Sequence, residues 1–452
     1  MARTPAQPGT SARGHAPEKL KAAEGPDAAS SAGARTTAGT RTTAEARKTA
    51  ATAGTADTPA RRGPLHALRN RLNDVAGRPS APYYWIIGTT VALTCIGLMT
   101  VLSASAAESI SAGEDPYSLF VKESIFAVAG MLLMMVLSFV PPSGLKKIAW
   151  PVLGLAVVLL LAVFTPLGKT VGGNRNWINL GDTLSFQPSE AAKLALALWM
   201  GMVLARKGDL VREWRHTVMP VVPAGIVVVG LILGGHDLGT AVITMSIIGA
   251  GLYFGGGSKR VLLAALGLGI GVAALMAVFS GNRTARLSGF FGNCDNGQGL
   301  CDQAQNGLYA LASGRWFGVG LGQSRQKWSW IPEAHNDFIF AILGEELGLI
   351  GTLAIIVLYA ILAFAIFRVI MKRNDTFARV VCGSVLAWII GQAFVNIAMV
   401  AGLLPVIGVP LPLISYGGSA LVMTLAALGV VLSFARSAPQ PRAAAEGALK
   451  EP

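Results

Sequence analysis

The sequence predicts an all-α polytopic membrane protein of about ten transmembrane helices, both termini cytoplasmic, with one large extracytoplasmic loop between helices 7 and 8. Three observations predict it. Apolar residues make up 52% of the 452 positions and charged residues only 13%, where a soluble domain carries roughly a quarter charged residues. Apolar runs near the ~20 residues that cross a bilayer recur from Tyr83 to Phe434. Basic residues gather on alternate connections between those runs, as orientation by positive charge requires.

Residues 1–80 are rich in Ala, Thr, Gly, Arg and Pro and nearly lack large apolar side chains. Such a segment buries too little surface to offset its chain entropy, so a disordered basic cytoplasmic tail is expected there, meeting anionic lipid or partner proteins. No apolar core stands near Met1 as a secretory signal has, and Glu18, Glu24, Asp27, Glu45 and Asp57 do not suit a transit peptide. The membrane domain is expected over 81–436, followed by a cytoplasmic tail at 437–452.

Within the domain the apolar segments are 83–105, 120–140, 148–165, 189–206, 218–235, 238–254, 261–280, 338–367, 376–402 and 411–435. Gly235-His236-Asp237 makes the fifth and sixth a tight hairpin. Glycines such as those of Leu266-Gly-Leu-Gly-Ile-Gly271 read as sites of close helix packing. Lys146-Lys147, the stretch Arg206 to Arg215, Lys259-Arg260, Arg368 to Arg379 and Arg436 onward share one side with the basic tail. The other side carries Glu108, Glu114, Asp115, the loop 166–188 and the long loop 281–336. A loop of that length is functional or disordered, and its aromatics and spaced glycines point to order. The net charge of +13 is accounted for by tail and topology, so nucleic acid is not an expected partner.

Cys95 and Cys382 lie in apolar runs, where they read as small buried hydrophobes. Cys294 and Cys301 flank Asp-Asn-Gly-Gln-Gly-Leu in the large loop. An oxidising exterior makes them disulfide candidates, with two free thiols as the alternative.

Ionisable residues in the membrane are expensive and mark candidate sites. In Gln187-Pro-Ser-Glu190-Ala-Ala-Lys193, Pro188 suits a first helical position and Glu190 and Lys193 share a helix face. They read either as a self-neutralising pair or as a cation presented to an anionic substrate. Asp237 at a helix entrance reads as a cap. Arg283 and Arg286, leaving the seventh helix on the outer side, either cap its C-terminus or hold a phosphate. In Gln326-Lys-Trp-Ser-Trp-Ile-Pro-Glu333-Ala-His335-Asn-Asp337-Phe, followed by Glu345-Glu346, an acid, an imidazole and an amide cluster where an ordered loop re-enters the membrane. Asp337 is there a helix cap or a general base or metal ligand at a cavity rim. No Walker loop, GxSxG or HExxH is present. Residue chemistry thus leads to an outward-facing polar site, in an enzyme or a transporter.

At these residues the chain resembles the SEDS family (shape, elongation, division and sporulation). The matching stretches are Asn176-Trp-Ile-Asn-Leu-Gly181, Phe186-Gln-Pro-Ser-Glu190 with Lys193, Asp237-Leu-Gly-Thr240, Gly320-Leu-Gly-Gln-Ser324, Pro332-Glu-Ala-His-Asn-Asp-Phe-Ile-Phe-Ala341, Gly344-Glu-Glu-Leu-Gly348, and Gly402 through Tyr416-Gly-Gly-Ser-Ala420. The resemblance implies a peptidoglycan glycosyltransferase that polymerises lipid II on the outer face of the cytoplasmic membrane. Its implied partners are a class B penicillin-binding protein of the FtsI type and other divisome proteins. The family's essential aspartate maps onto Asp337, with Asn336 where Thr is usual. Asn293-Cys-Asp-Asn-Gly-Gln-Gly-Leu-Cys301 replaces the common Asp-Pro-rich form of the loop.

The implied chemistry needs cations for a polyprenyl diphosphate leaving group and a base for the acceptor sugar hydroxyl. Asp337 is the expected base, with a divalent cation (Mg or Mn) as a candidate aid. Arg283, Arg286, Lys193 and Lys327 are the expected diphosphate cations, and Gln187, Glu190, Glu333 and His335 the further substrate contacts. A lipid II flippase and a non-catalytic divisome scaffold are the rival readings.

Overall fold

The computed structural model describes residues 79–436 apart from 114, 172, 180, 182–184, 279–289, 291–299 and 329–334. The helices among them are α1 (Ala81–Ala112), α2 (Ser118–Ser138), α3 (Pro142–Ala162), α4 (Pro188–Lys207), α5 (Trp214–Gly234), α6 (Leu238–Phe254), α7 (Lys259–Val278), α8 (Leu300–Ser313), α9 (Ile339–Lys372), α10 (Thr376–Val400) and α11 (Gly418–Arg436). Each of the ten apolar segments coincides with one of them, and α8 is an additional helix inside 281–336. Seven (α1–α3, α5 and α9–α11) are long and apolar enough to cross a membrane, and α6 is apolar but shorter. The chain is therefore a mostly helical, polytopic membrane protein.

The helices are turned outward in the manner lipid demands. On α2, Val121, Ile125, Val128, Leu132 and Val136 are exposed, while Glu123, Ala127, Gly130, Met134 and Ser138 are buried. Large apolar groups thus face the surroundings and small or polar ones face the bundle, where close approach and interhelical bonds hold membrane helices together. Helix α4 is buried along nearly its whole length and packs against α3, α6, α10 and α11. With α11 it is among the most completely buried helices of the bundle.

One end of the bundle is closed by its basic residues. Arg436 lies over the Phe139 ring at 4.1 Å and donates to the Tyr83 hydroxyl at 3.1 Å. Ser80 Oγ donates to the Ala435 carbonyl at 2.9 Å, Arg373 donates to the Phe434 carbonyl, and Lys146 pairs with Asp375 at 3.2 Å. The site described below lies at the opposite end.

At that end the loop after α3 is not irregular. β1 (Gly168–Val171), β2 (Asn174–Asn179) and β3 (Ser185–Phe186) form an antiparallel sheet in the order β1-β2-β3, with Ile178 opposite Gly168 and Phe186. Arg175 ties this sheet to the helices. Its N–H donates to the Gly235 carbonyl at 2.9 Å, and its guanidinium donates to the carbonyls of Phe164 and Thr165 at 3.2 and 2.8 Å.

Two expectations are corrected, and one long helix is interrupted. The last helix starts at Gly418 rather than 411, because Pro410, Pro412 and the left-handed Leu413 (φ 69°) hold 401–417 out of helix. Cys95 is exposed on the outer face of α1 rather than buried, whereas Cys382 is buried as expected. Helix α9 is broken at Gly348 (φ 69°, ψ −169°).

That break receives the loop following α8. Leu349 and Ile350 N–H groups donate to the carbonyls of Arg315 and Trp316, and Val319 and Gly320 N–H groups donate to those of Glu345 and Glu346, all at 2.9–3.2 Å. Irregular backbone at such a depth persists only when protein satisfies it, and each chain here satisfies the other. A Cβ at position 348 would lie 2.3 Å from the Gly318 nitrogen, on a backbone that L side chains rarely adopt. Gly348→Val should therefore cost at least about 2 kcal/mol, lowering the melting temperature of the detergent-solubilised protein by several degrees. An unchanged melting temperature would contradict this docking.

Candidate functional site

The site is built from four polar clusters, the first two of which are joined through α10. The first surrounds the turn His335–Phe338 that leads into α9. Phe338, not Asp337, is the N-cap of α9, and no side chain caps it. The turn is held instead by its carbonyls. His335 O accepts from the Tyr416 N–H at 3.0 Å, Asn336 O from Ser415 Oγ at 2.6 Å, and Asp337 O from Asn396 Nδ2 at 2.8 Å. Three consecutive carbonyls thus have three separate donors from two distant elements. The His335 ring meets the Tyr416 ring edge-on at 5.4 Å and is buried, while the Asp337 side chain is partly exposed.

The second cluster surrounds Lys193 on α4. Pro188 opens that helix and Glu190 lies in its first turn. Lys193 Nζ is 2.7 Å from Glu190 Oε1, 3.2 Å from Gln392 Oε1 and 4.5 Å from the centre of the Trp388 ring. Only 1% of Lys193 is exposed. An ammonium so enclosed needs all of these partners to offset lost hydration.

The third surrounds Asp237. It caps α6 through the Thr240 N–H at 2.9 Å, as the sequence suggests, but its other oxygen accepts from Thr240 Oγ1 (2.8 Å), Asn176 Nδ2 (2.8 Å) and Gln187 Nε2 (3.1 Å). One carboxylate therefore joins the sheet, the entrance of α4 and the α5–α6 hairpin. A small cavity lies beside it, lined by Arg175, Asn176 and Ser189 with Leu160 and Phe164 as apolar walls.

The fourth fixes the outer loop to the broken helix. Glu345 accepts from the Arg325 and Gln326 N–H groups at 3.1 and 3.3 Å and from the Ser324 hydroxyl. Lys327 pairs with Glu346 at 3.2 Å and donates to Ser103 Oγ and the Gly322 carbonyl. Lys327 is thus buried and committed to the fold.

Two amides one helical turn apart on α10 link the first two clusters. Gln392 accepts from Lys193 and donates to the Pro410 carbonyl at 2.9 Å; Asn396 donates to the carbonyls of Val409 (2.7 Å) and Asp337. The line from Glu190 and Lys193 to the Asp337 turn therefore runs through Gln392, the 409–410 backbone and Asn396.

The structure brings Glu190 and Lys193 together, places Gln187 on Asp237, and sets His335 and Asp337 on one turn. Arg283, Arg286, Glu333 and Cys294 lie outside the described residues, and of Cys301 only the backbone is described. Among the described residues no group of three or more His, Cys, Asp or Glu side chains converges as a metal site, so these residues alone do not assemble the cage a divalent cation needs. Gln392 and Asn396 stand in none of the stretches singled out from the sequence, whereas Asn176 and Ser415 stand there only as members of the family motifs. The two α10 amides carried a usable signal, because uncharged amides four apart in a membrane run need partners as ionisable groups do.

Removing one member of the Lys193 pair leaves the other charge enclosed without its partner. Lys193→Met should destabilise the protein by about 3–5 kcal/mol, and Glu190→Leu combined with Lys193→Met should recover most of that loss. Thermal unfolding of both variants checks this; a single variant as stable as wild type would contradict it.

Comparison with known proteins agrees with this architecture. The family model described as "Cell cycle protein" (FTSW_RODA_SPOVE) matches residues 84–440. The probable peptidoglycan glycosyltransferase FtsW of Mycobacterium tuberculosis is 37% identical over 378 residues, covering 83% of this chain and 72% of that protein. The protein of the same name from Geobacter sp. is 34% identical over 354 residues, covering 77% and 95%. Among solved structures, a chain of a peptidoglycan synthase complex that coordinates polymerization and crosslinking superposes with a TM-score of 0.64 at 26% identity, over 78% of this chain and 97% of that one. The Thermus thermophilus rod shape determining protein RodA gives 0.59 at 27% identity, over 79% and 97%. With the family model matching nearly the whole of the membrane domain, and relatives above 30% identity aligned over most of both chains, this chain belongs to the FtsW/RodA/SpoVE family of cell cycle proteins.

Proposed function

We propose that this chain is a peptidoglycan glycosyltransferase that polymerises lipid II into glycan strands at the outer face of the cytoplasmic membrane during septal wall synthesis. The observation that carries the reading is the His335–Phe338 turn. It presents a partly exposed carboxylate from a backbone fixed at three consecutive carbonyls, at the bundle end away from the basic loops. The names of the relatives and of the synthase complex support the reaction class. The basic-residue pattern supports ten spans with both termini cytoplasmic and the loop 281–336 outside.

In this reading Asp337 accepts the proton of the acceptor sugar hydroxyl. The hydroxyl oxygen attacks the anomeric carbon of the donor, and the bond from that carbon to the diphosphate breaks, releasing polyprenyl diphosphate. A base already fixed in place loses little freedom at the moment of reaction, which is the physical value of the clamped turn. Arg283 and Arg286 offset the charge growing on the diphosphate. Lys193 and Lys327, each enclosed in an ion pair, act as internal counterions that hold the walls of the site. His335, Glu333 and Gln187 are the proposed contacts to the sugars. A class B penicillin-binding protein that cross-links the new strands is the proposed partner, with other divisome proteins around it.

The purified full chain, reconstituted in vesicles with lipid II and its penicillin-binding partner, should produce long glycan strands visible on a gel. Lipid II that crosses the bilayer without any strand forming would favour the flippase reading instead. Neither strands nor translocation from folded complex would favour a scaffold.

A further inference from the structure

Glu123 belongs to none of the motifs in the loop or the helix entrances, yet it stands behind the Asp337 turn. It lies on α2, facing inward with Ala127, Gly130 and Met134, and is 2% exposed. Oε2 accepts the Gly417 N–H at 3.3 Å, and Oε1 is buried with no hydrogen-bond partner among the described residues. None of the ion pairs among the described residues includes it. A carboxyl buried without a cation costs several kcal/mol relative to a well-packed apolar residue. Stability of α2 therefore does not explain its presence.

Its one partner explains it better. Gly417 follows Tyr416 and Ser415, whose N–H and hydroxyl hold the His335 and Asn336 carbonyls. Residues 415–417 thus form a strap: two residues grip the turn, and the third is gripped by Glu123. The strap also has no slack on the α2 side. A Cβ on Gly418 would lie 2.1 Å from the ring of Phe126, three residues along from Glu123. The Tyr416 ring in turn packs edge-on against the His335 ring at 5.4 Å. The helix and the turn are therefore joined by a short chain of direct contacts.

We propose that Glu123 is a positioning residue for the transfer reaction. By fixing the Gly417 N–H it sets the strap, and through the strap the aim of the His335–Asp337 turn at the acceptor hydroxyl. This rests on Asp337 being the base. What Glu123 supplies is a side-chain oxygen at one place, so a glutamine, which keeps that oxygen and offers an N–H where Oε1 is unpartnered, satisfies the same need.

The test uses the full chain with its penicillin-binding partner and lipid II, measuring kcat, KM and melting temperature for Glu123→Ala and Glu123→Gln. Misaimed catalytic groups cost up to about 100-fold, so Glu123→Ala should lose between about 10- and 100-fold in kcat with KM and melting temperature near wild type. Glu123→Gln should stay within about twofold of wild type. Wild-type kcat in Glu123→Ala overturns the proposal. So does Glu123→Gln as slow as Glu123→Ala, which would make the ionisable acid itself the requirement, and so does a loss that only follows a lowered melting temperature. Activity of Asp337→Asn in the same assay reports on the base separately, so failure of that reading is distinguishable from failure of this one.

Discussion

The donation from Asn396 to the Asp337 carbonyl is the contact on which the site depends. It is made from α10, whose Gln392 one turn away receives Lys193 from the buried helix α4. Because both amides also hold the 409–410 backbone, they fix three things at once: a buried ion pair, a non-helical stretch, and the turn that carries the candidate base. Gln392 accepts and donates together, whereas Asn396 serves as a double donor to the carbonyls of Val409 and Asp337. A charged residue there would bring a second desolvation cost, and an apolar one would leave two backbone carbonyls unpaired.

The remaining charges follow the same logic. Glu190 with Lys193 and Glu346 with Lys327 are each neutralised inside the protein, and Asp237 and Glu345 are satisfied by several donors each. In a membrane bundle with little hydrophobic drive between helices, such bonds help specify which helices meet. They also account for the irregular stretches 315–320 and 401–417. Both would be untenable facing lipid, and both are held by side chains or backbone of neighbouring elements. Rigidity near Asp337 therefore arises from the same contacts that allow the chain to leave helical form there.

Much of this was legible in the sequence. Apolar runs located the spans, because length and hydropathy are local properties. The Glu190–Lys193 pair was legible from its spacing, and Asp237 as a cap from its place before Leu238. The rest depended on contacts between distant residues. Asp237 also accepts from Asn176 and Gln187, which spacing along one helix does not reveal. The sheet at 168–186 is built from strands too short to show an alternating pattern. The break at Gly348 exists because Gly318 comes to lie against it, and the late start of α11 because prolines and Leu413 shape the strap. Glu123 carries no local signal, because its partner Gly417 stands 294 residues away in the chain. Lys193 and Lys327 stood out as cations, but only the fold shows that each already has its anion.

On the proposed function this clamped turn presents the base for glycosyl transfer. The most direct test of this is the rate of lipid II polymerisation by purified Asp337→Asn, bound to its partner and shown by melting temperature to be folded. The substitution keeps size and backbone contacts and removes only the proton acceptor, so polymerisation should fall by at least about 100-fold, within the range of a lost general base. Strand synthesis at the wild-type rate would contradict the account.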